Sequence, residues 1–442
     1  MNCLYRLTLL SAALLAAMAP AHAQRQQKSD VPPVVHPPIG TTVISDDGAL
    51  KIVLDGKKQN FAARPANTRD ISIKSPKSVN IHPSGKKYYV NSLEGGTTVV
   101  YDSRTSRKLK VISHNIGPQH AKLWAPSTSL YPMTYDYADP RRFMGKPVES
   151  TFSHGGRYLW VPYYRRSIDL NAQDPSAVAI IDTDTDEIIR LMDTGPLPKM
   201  IATSPDGKYV AISHWGDNTV GLIDISSADP AKWKHITYFT VDHKLKLNYP
   251  RNKPVDRDSN SGNALRGTVF TPDSKYLLVG CMGGNGGIAV IDVPGRKYLG
   301  KIYGMMPNLR HLVISHGYLY LSINNSGYIQ RIPLSRVVET ARGMGGGKSA
   351  TLSGWENCKV GGGARTLELS PDGRYAFVAC NTASKLCVVD TRTMKQIAQI
   401  DVDSYPVGLD ISHTGALVFV TSQARKGRGG NALNIYRVTR LK

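Results

Sequence analysis

Beyond its first two dozen residues the chain has no apolar run of membrane-spanning length, no CxxC or CxxCH, no GxSxG and no convincing amphipathic helix. The first absence excludes an internal transmembrane helix. The second excludes the usual zinc and haem-attachment spacings. The third removes the nucleophile elbow of the α/β-hydrolases. The fourth leaves strands as the building material. Acidic residues are scarce too: 34 Asp and Glu stand against 55 Lys and Arg, for a formal charge of +21. That excess favours an anionic partner, whether nucleic acid, acidic polysaccharide, phosphate-bearing membrane or acidic protein. A basic but otherwise ordinary surface is the plain alternative.

What is present begins with Met1–Ala23. Arg6 supplies a positive start, Leu7–Met18 an apolar stretch, and Ala21-His22-Ala23 a small-residue cleavage site. This pattern predicts a secretory signal peptide and a periplasmic, secreted or cell-surface destination. Cleavage would leave about +20. Four of five cysteines would remain: Cys281, Cys358, Cys380 and Cys387. An oxidising compartment permits a disulfide, and Cys380 and Cys387, which flank one predicted hairpin, are the first pair to test. Residues 24–40 are rich in Gln and Pro and predict an extended tether. Strand-like pieces follow at Leu50–Leu54 and Ile71–Ile73.

From there one phrase recurs. It is clearest at Thr203-Ser204-Pro205-Asp206-Gly207-Lys208-Tyr209-Val210 and at Leu369-Ser370-Pro371-Asp372-Gly373-Arg374-Tyr375-Ala376. Looser copies start at Ile81, Phe152 and Phe270, and skeletal ones at Ile314 and Ile411. Pro presets φ for the first corner, Asp bonds the local backbone, and Gly accepts positive φ. A second hairpin follows and ends in an acid at Asp102, Asp182, Asp224, Asp292 and Asp390. A fourth strand comes next, as in Lys108–Ile112 and Gln396–Ile400. Four antiparallel strands per unit, at the usual period of about 40–45 residues, predict propeller blades. Seven phrases predict seven. The last unit has only three evident strands, so a strand from residues 50–73 is expected to complete it and close the ring.

The SPDGxYxxV-type turn and the xVxVID strand resemble the YVTN family of seven-bladed β-propellers over most of residues 74–440. The resemblance implies a WD40-like all-β fold. It leaves activity open, because such propellers include surface-layer proteins, DNA-binding periplasmic proteins, lactonase-like enzymes and redox-enzyme subunits.

Aligning the seven phrases on the residue before Pro (Ser, Thr or His) and stepping back five positions gives Lys77, Val148, Lys199, Arg266, Arg310, Arg365 and Val407. This position begins the innermost strand, which lines the channel of a propeller. Five cations around an axis repel one another unless an anion sits among them, and Arg can clamp a carboxylate or phosphate through two bonds. Glu149, Glu368 and Asp410 could instead neutralise them. Strand alternation predicts that the next column, which includes Glu149 and His311, faces the adjacent blade.

Two insertions, 113–146 and 241–263, and several loops bring basic and aromatic residues to the same face. Among them are His120, Tyr163-Tyr164-Arg165-Arg166 and His214-Trp215. The expected ligand-binding set is therefore Lys77, Lys199, Arg266, Arg310 and Arg365, joined by His311, Trp215, His120, Arg165 and Arg166. No catalytic residue, metal or cofactor is expected. The leading reading is a non-enzymatic binding or scaffold module for an anionic small molecule, acidic polymer or acidic protein, as a monomer or a subunit of a complex. The alternatives are a lactonase-like hydrolase using the ring as an oxyanion clamp, or a nucleic-acid-binding propeller combining stacking with phosphate contacts.

Overall fold

Short strands separated by turn residues pack as seven sheets, antiparallel except where Ala350–Thr351 runs parallel to Lys297–Tyr303. The computed structural model describes residues 34–61, 68–128, 130, 141–167, 169, 171–248, 257, 259–425 and 427–441. The expected signal peptide, most of the expected tether and the tips of both insertions lie outside the described residues. The seven sheets are the blades of a β-propeller. Their innermost strands, blades 1 to 7 in order, are Pro76–Ile81, Thr151–Ser153, Pro198–Thr203, Leu265–Phe270, Leu309–Ser315, Ala364–Leu369 and Pro406–Ile411.

Local chemistry explains the repeated turn. Ser204 Oγ and Ser370 Oγ each donate to the Asp two residues on, at 2.6 Å in both turns, and Thr271 does the same to Asp273 at 2.6 Å. Gly207 and Gly373 take φ of 72° and 69°, in the left-handed region that glycine enters without a Cβ penalty. The acids that end the third strands close the next turn. Asp102 accepts from Thr105 N at 2.7 Å, Asp182 from Asp184 N at 2.9 Å and Asp224 from Ser226 N at 2.9 Å. Asp292 accepts from Gly295 N at 3.0 Å and Asp390 from Arg392 N at 2.8 Å.

The ring closes through blade 7. Leu50–Gln59 pairs with Ala432–Arg440, from Leu50↔Arg440 to Gln59↔Ala432, and Thr42–Ile44 adds a further outer strand. The core lies between blades, because each sheet is apolar on both faces. Leu409 and Val420 of blade 7 pack with Phe377 and Val388 of blade 6, and with Leu50, Ile52 and Leu54 of the closing strand. Full burial of such side chains contributes about 1.5–3 kcal/mol each. Just before the closing strand, Val35 O accepts from Ser404 N at 3.0 Å, and Pro37 O accepts from Lys57 Nζ at 2.6 Å.

Two expectations are corrected. Ile71 and Ser72 form a turn rather than a strand, while Ile73 is buried. A helix does occur, at Leu334–Arg342 between the third and fourth strands of blade 5, with Leu334, Val337 and Ala341 buried along one face. Three apolar positions in under three turns leave too short a pattern to stand out from flanking strands. Among the described residues no helix is long and apolar enough to cross a membrane.

A cationic chamber on the propeller axis

The candidate site is built by a slip repeated in every blade. Pairing of the innermost strand with the second strand shifts between Pro76 and Ser78, Pro198 and Met200, and Leu265 and Thr268. It shifts again between Leu309 and His311, Ala364 and Leu367, and Pro406 and Gly408. In blade 2 the slip falls between Pro147↔Tyr163 and Thr151↔Trp160. Six residues lying two before the slipped position have positive φ: Ser75, Leu197, Ala264, Asn308, Gly363 and Tyr405. A bulge frees one residue from the ladder and re-aims its side chain. The residue freed in five blades is Lys77, Lys199, Arg266, Arg310 or Arg365.

These five side chains line one cavity of about 330 Å³, together with Leu93, Val148, Tyr164, Trp215 and Gln423. The aromatic rings hold the cations. Lys199 Nζ lies 3.8 Å from the Tyr164 ring centroid and 4.5 Å from that of Trp215, and Arg266 Cζ is 4.9 Å from Trp215. Arg310 Nη1 donates to Met282 Sδ at 3.2 Å. Among the described residues the carboxylate that reaches Lys77 is Glu149, whose Oε1 is 3.6 Å from Lys77 Nζ; the two side chains are 22% and 7% exposed. Glu149 Oε2, Arg266 Nε and Arg310 Nε are buried and lack a hydrogen-bond partner among the described residues.

Charge is therefore unbalanced. Burial, then Arg266 and Arg425, depress the Arg365 guanidinium to about 9 against a partial offset by Glu149. Burial, Arg365 and Arg266 likewise hold Arg310 well below its ordinary value. Burial and Arg365 do the same to Lys77. Guanidinium keeps its proton at physiological pH, so for the arginines the depression reflects the cost of burying a charge first and repulsion from neighbouring cations second, rather than neutralisation. Burial pushes the Glu149 carboxyl upward, but Lys77, Arg266 and Arg365 outweigh it and keep that group below the usual glutamate range.

Further along the axis lies a second cavity of about 280 Å³, lined by Ser78, Asn80, Glu149, His311, Thr366 and Glu368 among others. The expectation that the second column faces the neighbouring blade is thus corrected: the bulge breaks strict alternation, and both columns reach the axis. Asp410 accepts from Ile81 N at 2.7 Å and Ile411 N at 2.8 Å. Burial raises Asp410 to about 6, and burial with Asp410 alongside raises Glu368 well above its ordinary value. Glu368 lines that second cavity and not the chamber, so it does not stand among the five cations.

The remaining residues of the expected set scatter. Trp215 lies in the cationic chamber. His311 lines the second cavity, where burial lowers it to about 4 and Nδ1 accepts from Leu367 N at 3.4 Å. His120 Nδ1 accepts from Gly117 N at 3.1 Å, within its own short turn. Arg165 Cζ sits 5.6 Å from the Tyr164 ring and reaches the chamber through that ring. Arg166 is 1% exposed, faces Asp174 Oδ2 at 3.5 Å and packs on Phe143, away from the cavity lining. His214, expected near the channel mouth, is fully buried, with Nε2 accepting from Gly195 N at 3.2 Å.

Tyr164 and Gln423 were missing from the expected set. The signal for them is the first position past the inner hairpin's second strand, which reads Leu93, Trp215, Met282 and Gln423 in blades 1, 3, 4 and 7. Tyr164 matches it in blade 2, where Pro147↔Tyr163 corresponds to Pro76↔Ser92.

Fold and site together define a seven-bladed, WD40-like β-propeller with a cationic chamber on its axis. Solved structures share the fold. Kuenenia stuttgartiensis hydrazine synthase matches with a TM-score of 0.57 at 13% identity, covering 82% of this chain and 95% of that one. The β-propeller domain of Myceliophteria thermophila Cps50 (Swd1) matches with a TM-score of 0.55 at 13% identity, covering 83% and 97%. At that identity the likeness is one of fold alone. No family model matches the chain, and no curated protein does.

Proposed function

We propose that this chain is an exported, non-enzymatic binding or scaffold propeller of the YVTN type that engages an anionic ligand or acidic partner in the cationic chamber. Export rests on the leader-like Met1–Ala23, and the YVTN assignment on the repeated turn and strand motifs. The observation that carries the binding reading is five cations from five blades around one cavity, where among the described residues Lys77, Arg266, Arg310 and Arg365 have a single carboxylate, Glu149, close by. A propeller needs only apolar inner faces to pack, so repulsion of this kind is a cost that an anion would offset. The bulges make those residues converge on a point, the geometry a multidentate ligand requires.

The test is R266Q/R310Q/R365Q in the mature chain, titrated with inorganic pyrophosphate by calorimetry. Charge-assisted hydrogen bonds contribute about 1.5–3 kcal/mol each, so affinity should fall at least ~100-fold. The unliganded melting temperature should hold or rise, because repulsion is removed. A variant that binds every anion held by the parent chain just as tightly would rule the reading out.

A further inference from the structure

We infer that the chamber's ligand is a compact oxyanion carrying two or more negatively charged groups, an oligophosphate or polycarboxylate, held by charge and hydrogen bonds within a pocket that an anion enters and leaves at one end. The inference rests on the binding reading above and narrows it.

Four observations carry it. First, the aromatic rings of the chamber are already used. Tyr164 carries Lys199 at 3.8 Å and Arg165 at 5.6 Å, and Trp215 carries Lys199 at 4.5 Å and Arg266 at 4.9 Å. A ring facing the protein's own cations is not a platform for a nucleobase or sugar, which removes the stacking half of single-strand recognition at this point.

Second, the donors exceed what one small anion accepts. A carboxylate offers about four lone-pair sites, while each guanidinium brings five N–H groups and each ammonium three. Arg266, 5% exposed, has an Nε without a hydrogen-bond partner among the described residues, as does Arg310. Third, among the described residues Lys77, Arg266, Arg310 and Arg365 share the single carboxylate of Glu149, an excess that a monovalent ion only begins to balance. A volume of about 330 Å³ sits at the small end of the usual ~300–1,000 Å³ range for ligand sites. Fourth, the next cavity along the axis has no Lys or Arg in its lining and presents Glu149 and Glu368. An anion moving inward leaves its donors behind and meets acids, so the chamber is a blind site and not a conduit.

The experiment titrates the mature chain, at constant ionic strength, with acetate, inorganic phosphate, pyrophosphate, tripolyphosphate, citrate, a 20-mer of deoxythymidine and poly-glutamate. R266Q/R310Q/R365Q is titrated alongside, with R266Q alone as the variant to use if the triple change does not fold. The expected result is pyrophosphate, tripolyphosphate or citrate binding at least ~100-fold tighter than acetate, with that preference lost in the variant. Preference for the phosphates over citrate identifies an oligophosphate, and the reverse a polycarboxylate. If the oligonucleotide or poly-glutamate binds, the compact anions do not and the variant abolishes binding, the chamber is a site but this ligand class is wrong. Acetate binding as tightly as pyrophosphate also overturns the class. If no probe binds, or the variants leave all binding unchanged, the binding reading itself falls.

Discussion

Glu149→Gln separates a counter-ion from a bystander, because it should move stability and anion affinity in opposite directions. Glu149 Oε1 stands 3.6 Å from Lys77 Nζ, with the lysine nearly buried and the glutamate 22% exposed. Unit charges about 4 Å apart attract by ~4 kcal/mol at an effective dielectric near 20. Partial solvent access and the acceptor retained by Gln reduce the expected loss to ~2 kcal/mol, below the ~3–5 kcal/mol of a fully broken buried pair. Without ligand, the melting temperature of E149Q should fall by about 2–4 °C. With ligand, the carboxylate no longer competes for the cations or repels the incoming anion, so pyrophosphate affinity should rise ~10-fold, about 1.4 kcal/mol. K77Q/E149Q restores the original net charge and should return affinity toward that of the parent chain. Melts and calorimetry on the three proteins decide the matter. Unchanged melting with unchanged or weaker anion binding in E149Q would refute the reasoning, because it would mean that Glu149 does not hold the cations.

Three further outcomes are expected. His114 is fully buried between Thr98 Oγ1 at 2.8 Å and Tyr163 OH at 3.0 Å, and burial lowers it to about 3. The folded state therefore resists a proton that the unfolded chain takes up near 6.5, so this group's stability is complete above that pH and is lost on acidification, by ~3 kcal/mol at pH 4.5. Urea unfolding of H114Q should show a smaller loss between pH 7.5 and 4.5 than the parent, and an equal loss would exclude His114 as a source. Burial pushes the Cys281 thiol up to about 12, and Cys358, Cys380 and Cys387 are also buried free thiols, with 3.5 Å between the sulfurs of Cys380 and Cys387. An aromatic disulfide reagent should therefore titrate about four thiols only after denaturation, and rapid labelling of the native chain would contradict this packing. Removal of residues up to Gln59 strips the strand that pairs with Ala432–Arg440. The exposed edge should make the truncated chain aggregate or melt at least ~10 °C lower by calorimetry.

Blade number, strand order and ring closure were legible because they follow from local chemistry repeated seven times. Ser204, Asp206 and Gly207 make their turn with one another, and Asp224 closes the next, whatever the rest of the chain does. The missing outer strand after Val438 was legible because an open edge has to be covered. The helix at Leu334–Arg342 was not, since its buried face exists only within the cluster it shares with strands of blades 4 and 5. His214 and Arg166, grouped with the chamber by their place in loops, turn into the body of the molecule, where burial and Asp174 satisfy them.

Periodicity by itself determined that five cations occupy one phase of the repeat, because equivalent positions in a closed ring must lie at equivalent heights. Only the tertiary structure decided where they point and what surrounds them. A slip in pairing depends on the partner strand, and it frees Lys77 or Arg310 from the ladder and brings Glu149 and His311 to the axis as well. Tyr164 and Trp215 come from neighbouring blades to enclose Lys199, and although the repeat gives each ring its position, only the packing of the two blades sets the distances between them. Balance of charge is likewise a property of distance, and distance is set only when the ring closes.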